Sequence, residues 1–112
     1  MIDTVLLAGN VEDQEDVHAQ PVFDNTTRNL EVAESQWDWI EETLKASKAD
    51  YLFVAGHYPV YSGCSHGSTG NLIDNLKPKL EKYGAHYISG HDHCQFYINE
   101  GKGVGYFLSG TG

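Results

Sequence analysis

The chain alternates short apolar blocks with stretches in which apolar residues recur at helical spacing. The opening block, Ile2 to Ala8, is largely apolar and reads as a strand. A polar, acidic loop is expected from Gly9-Asn10 to about Leu30. From about Ala33 to Ser47 the spacing of Trp37, Ile40 and Leu44 predicts a helix with one face for a sheet, and Ser35 with Asp38 reads as a capping pair. Tyr51 to Ala55 is an unbroken apolar run, which suits a strand covered on both faces. After a Gly-, Ser- and Tyr-rich loop from Tyr58 to Gly70, Leu72, Leu76, Leu80 and Tyr83 mark a second helical face. Pro78 should divide it into two short helices meeting near Lys77, and Gly84 should cap the end. Ala85 to Ile88, Gln95 to Asn99 and Val104 to Leu108 read as strands, the last two joined by the hairpin turn Glu100-Gly101-Lys102-Gly103.

At 112 residues this pattern fills at most one domain, of the α/β class. Strand-like sequence starts almost at once and Tyr106 to Gly112 ends without a polar tail, so the expectation is a piece of a longer protein. A net charge of −9 argues against nucleic acid or an anionic membrane as partner, because either calls for a basic face. No apolar run approaches the roughly 18–20 residues that a membrane span requires. A small phosphorylated substrate stays compatible with the acidity, since bound cations can reverse the sign of a site.

The candidate chemistry sits where two apolar runs end. Tyr51 to Ala55 leads into Gly56-His57, and Ala85 to Ile88 leads into Ser89-Gly90-His91-Asp92-His93. Strand ends of this kind are where parallel sheets place their sites, and a neutral imidazole is a common metal ligand. His57, His91 and His93 are therefore the candidate metal ligands. Asp92 suits the role of orienting backbone or a neighbouring imidazole. His66, in the loop after His57, is placed to meet substrate. His18 and His86 are read as structural. Cys64 and Cys94 each lie within two residues of a candidate histidine; they can pair with each other, stay free or bond elsewhere.

The run Asp50 to Ser62, with Ala55-Gly56-His57-Tyr58-Pro59 at its centre, is followed by His66-Gly67 and Ser89-Gly90-His91-Asp92-His93. This combination resembles the purple acid phosphatases, most closely their small, tartrate-resistant type. Ile2-Asp3-Thr4-Val5 and Gly103 to Gly110 extend the likeness over nearly the whole chain. The Gly-His-Asp-His motif alone resembles only the wider metallophosphoesterase superfamily. The resemblance implies the C-terminal portion, here residues 1–112, of a four-layer α/β/β/α sandwich that hydrolyses phosphate monoesters of small molecules or phosphoproteins at acid pH. It implies a dinuclear centre, Fe(III) with Fe(II) or Zn(II), at which metal-activated hydroxide attacks in line. His57 and His91 match ligands of the divalent ion, His93 matches a ligand of the ferric ion, and His66 matches a substrate-facing histidine. A secreted or lysosomal setting is also implied, and the Asn25-Thr26-Thr27 sequon fits a glycoprotein.

The family's remaining ligands come from motifs of the Gly-Asp and Gly-Asn-His kind, which this chain lacks. Gly9-Asn10 is followed by Val11 where histidine is required, so Asn10 is not assigned as a ligand. The isolated chain is accordingly expected to be inactive. The alternatives are another metallophosphoesterase, acting on diesters or nucleotides, or a noncatalytic domain that retains the motif.

Overall fold

Side chains alternate across a four-stranded sheet, and the alternation decides which face carries the core. The computed structural model describes residues 1–8 and 27–110; His18, the Asn25 sequon and Thr111-Gly112 lie outside the described residues. The strands are β1 (Phe53–Ala55), β2 (His86–Ser89), β3 (Gln95–Asn99) and β4 (Gly105–Ser109). They lie in the order β1-β2-β4-β3, with β1, β2 and β4 parallel and β3 antiparallel to β4. Val54, Tyr87, Tyr106 and Leu108 point to one face and are buried. Against that face pack α2 (Thr27–Ala46), α3 (Gly70–Asn75) and α4 (Lys77–Tyr83), through Ile40, Leu44, Leu72, Leu76 and Leu80. The three leucines are fully buried, and each contributes roughly 1.5–3 kcal/mol of transfer free energy.

The opposite face carries Phe53, Ile88, Phe107 and Tyr97, all between 40% and 56% exposed. Tyr51 to Ala55 was expected to be covered on both faces, yet among the described residues β1 is covered on one. The described residues therefore form two layers, helices and sheet, and an apolar face remains open.

Several expectations from the sequence hold. Pro78 lies in the first turn of α4, where its missing N–H costs nothing, and Gly84 closes that helix in the left-handed region at φ 65°. The expected hairpin joins β3 to β4, which pair antiparallel.

Others need correction. The opening block is not a strand: α1 (Thr4–Leu7) is a short helix, whose Leu6 N–H donates to the Asp3 carboxylate. Asp3 is a strong helix cap, and a short apolar run cannot by its pattern distinguish strand from buried helix. Only the Ile2 N–H keeps a strand-like bond, to the Ala55 carbonyl at 2.8 Å. Helix α2 begins at Thr27, within the stretch expected to be loop. Ser35 thus lies inside the helix, where it caps nothing and donates to the Glu31 carbonyl.

Glu41 ties α2 to α4. The Tyr83 hydroxyl and Lys82 both bond it, and with Lys79 they outweigh partial burial and lower its pKa to about 2. The clamp is charged throughout the mildly acidic range.

Candidate metal centre

Parallel pairing brings the two Gly-His endings side by side. Because Ala55 pairs with Ile88, the two strands end within one residue of each other, and the Gly90 N–H donates to the His57 carbonyl at 3.1 Å. The two rings meet above this junction. His57 Nε2 lies 3.1 Å from His91 Nδ1, with the ring planes 72° apart. Two metal–imidazole bonds of about 2.0–2.1 Å spanning that separation would subtend roughly 95–100° at the ion, between octahedral and tetrahedral values. The pair thus has the donor type and spacing to share one cation.

His91 adopts φ 71°, a left-handed conformation that is uncommon for a residue with a side chain. Its neighbours hold it there. The loop from Gly90 to Cys94 crosses the end of β4 to start β3. Asp92 N–H bonds the Gly90 carbonyl, Cys94 N–H the Asp92 carbonyl, and Gly110 N–H the Cys94 carbonyl. Tyr58 stands edge-on to His91, with ring centroids 4.5 Å apart.

His66 arrives from the loop after β1, and its ring centroid is 4.5 Å from that of His91. Asp92 secures the loop. Fully buried, it accepts from the Ser62 and Ser65 hydroxyls and from the His66 N–H at 2.8 Å. Burial pushes its carboxyl up, but these donors together hold it below the ordinary value. Cys64 and Cys94 form a disulfide, a second tie between the His66 loop and the Gly-His-Asp-His loop. Sequence reasoning had left their pairing open. An open cleft lies beside this group, lined by Tyr58, His66, His91 and the small residues 67–70.

The structure thus brings together His57, His91 and His66. His93 is exposed, and no ring contact or hydrogen bond joins it to the others among the described residues. Nor do three His, Cys, Asp or Glu side chains converge into a complete metal cage among the described residues. His86 behaves as the structural residue it was read to be: its Nδ1 accepts from the Gly105 N–H and its ring lies against Phe53. Sequence reasoning did not single out Thr4, whose hydroxyl accepts from both the His57 and Tyr58 N–H groups. A threonine in an apolar run gives no outward sign of such a task.

The profile of calcineurin-like phosphoesterases matches residues 2–95. The chain belongs to the calcineurin-like phosphoesterases. Over its whole length this phosphoesterase chain is 47% identical to tartrate-resistant acid phosphatase type 5 of Rattus norvegicus and 43% identical to that of Homo sapiens. It spans about a third of the length of these relatives, 33% in each case. Purple acid phosphatase 7 of Arabidopsis thaliana is 39% identical over 62% of the chain and 21% of its own length. Among solved structures, GAP50, described as the anchor in the inner membrane complex of Plasmodium, superposes with a TM-score of 0.74 at 25% identity. That match covers 97% of the phosphoesterase chain and 30% of GAP50. Membership of this family implies a dinuclear metal centre, and the His57–His91 pair fits one half of it.

Proposed function

We propose that the complete protein is an acid phosphatase that hydrolyses phosphate monoesters, of small molecules or phosphoproteins, at a dinuclear centre. In this reading residues 1–112 are the C-terminal portion of its domain. His57 and His91 hold the divalent ion, Fe(II) or Zn(II), and His93 serves the ferric ion. The remaining ligands come from the rest of the protein. Convergence of His57 Nε2 and His91 Nδ1 from two separate loops carries the reading. The open apolar face of Phe53, Ile88, Phe107 and Tyr97 suits the second half of a four-layer sandwich.

When bound, the ion pair supplies charge to polarise the phosphoryl group and to activate water. The chain's own residues do the rest. A protonated His66, beside His91 at the cleft, binds a phosphoryl oxygen or donates a proton to the leaving alkoxide, which favours acidic conditions. Asp92 and the disulfide keep it at that distance. The disulfide also supports an oxidising, secreted or lysosomal setting, and the Asn25 sequon supports a glycoprotein.

The test is turnover of an aryl phosphate at about pH 5 by the complete, metal-loaded protein. Tartrate-insensitive hydrolysis is expected. His66→Ala should lower kcat by on the order of 10²-fold or more, with metal content near two per chain. Absence of turnover counts against the phosphatase reading, and loss of iron in His66→Ala against the role given to His66. The likeness to a protein described as an anchor gives a noncatalytic reading some footing. That reading expects a well-folded protein that takes up no metal.

A further inference from the structure

Thr4 sits at the start of α1, 1% exposed, and reaches across to a segment more than 50 residues later. Its Oγ1 accepts from the His57 N–H at 3.0 Å and from the Tyr58 N–H at 2.9 Å. A hydroxyl has two acceptor lone pairs, and both are engaged here. Two successive N–H groups that converge on one point make a concave turn of the kind that elsewhere holds an anion, and the Thr4 oxygen fills it.

Three other polar groups of this turn have partners of their own. Gly56 N–H donates to the Ile88 carbonyl, Gly90 N–H to the His57 carbonyl, and the Tyr87 hydroxyl to the Tyr58 carbonyl at 2.7 Å. Among the described residues Thr4 alone satisfies the two consecutive donors. Without its oxygen these two part-buried N–H groups lose their acceptor, and the backbone that carries the His57 ring loses its tie to α1. Gly56 packs closely against this site, since a methyl group there would overlap the Thr4 methyl and the Tyr87 hydroxyl.

We propose that Thr4 is a positioning residue of the metal centre: its buried hydroxyl fixes the His57–Tyr58 turn and so aims His57 Nε2 at the ion shared with His91. The proposal rests on the phosphatase reading, because it presupposes that the two imidazoles hold one cation. Thr4 touches neither ion nor substrate. Residues that orient metal ligands typically change affinity by about 10–100-fold when replaced, which sets the scale expected here.

The side chain offers two things, an oxygen and a methyl that packs beside Gly56, and substitutions separate them. Thr4→Ser keeps the oxygen, Thr4→Val keeps the shape, and Thr4→Cys keeps a weak acceptor in the same place. Each variant of the complete protein, loaded with ferric ion, is titrated with Zn²⁺ against a competing chelator, with thermal unfolding followed in parallel. Thr4→Ser should bind Zn²⁺ within about threefold of the parent and Thr4→Val about 10–100-fold more weakly, with Thr4→Cys between them and ferric content unchanged. Equal losses in Thr4→Ser and Thr4→Val, or parental affinity in Thr4→Val, would overturn the proposal. Should Thr4→Val not fold, the remaining pair decides, because equal affinities in Thr4→Ser and Thr4→Cys contradict an acceptor role. A flat series in a parent that binds Zn²⁺ removes the role of Thr4 alone. A folded parent that takes up no Zn²⁺ removes the phosphatase reading and this proposal together.

Discussion

Replacing His91 by asparagine in the complete protein is expected to lower kcat/KM on an aryl phosphate by about a thousandfold or more, with the fold as stable as the parent's. The two halves of this expectation have different origins. On the proposed reading, activity should fall because the divalent ion would lose one of two converging imidazoles, and metal charge is worth several kcal/mol to phosphoryl transfer, at about 1.4 kcal/mol per tenfold in rate. Stability holds because His91 sits at φ 71°, a region that asparagine enters more readily than most residues. Metal analysis, kinetics and thermal unfolding on one preparation check the pairing of effects. Full occupancy by the divalent ion together with parental kcat/KM in this variant would show that His91 is not its ligand.

The second large effect belongs to Gly110, a residue with no chemistry of its own. It lies beneath the Gly-His-Asp-His loop, where an added Cβ would overlap the Asp92 carbonyl oxygen and come within 2.7 Å of its carbon. Both are backbone atoms, so neither can rotate aside as the end of a side chain would. Gly110→Ala should therefore destabilise the complete protein by about 3 kcal/mol and weaken metal binding, since the displaced loop carries His91 and His93. Gly70→Ala is the control: a Cβ there meets nothing within 4 Å, and the change should stay within roughly 0.5 kcal/mol. Urea unfolding midpoints read both variants. Equal midpoints would mean that the loop can shift without penalty.

Legibility in the sequence followed the strength of local patterns. Pro78 and Gly84 declare the break and the end of a helical face because each restricts or frees the backbone in a way that no other residue does. The strand endings at Gly56 and Gly90 were visible as apolar runs that stop at Gly-His, and parallel pairing then places them together. The opening segment was misread because its apolar residues fit a strand or a buried helix equally well, and tertiary contacts decided for the helix. Phe53, in the run Tyr51 to Ala55, was expected to be covered and is half exposed, because an apolar run reports that a strand is meant to be covered, not which residues cover it.

The candidate histidines and the bracing Asp92 were legible in the sequence, and the hydroxyls that support them were not. His57, His91 and His66 stand out as imidazoles at strand and loop ends. Thr4, Ser62 and Ser65 do not, because a hydroxyl that braces a loop looks in sequence like any other small polar residue. The Cys64–Cys94 pairing could not be read from spacing alone. It depends on two loops meeting in space, which the sheet register fixes only once the strand order is known.

The most direct measurement is the anomalous scattering of zinc in crystals of the complete protein. One peak should lie between the His57 and His91 rings, bonded to His57 Nε2 and His91 Nδ1 at about 2.0–2.1 Å. A fully loaded protein in which the zinc peak touches only one of those nitrogens, or neither, would contradict the account.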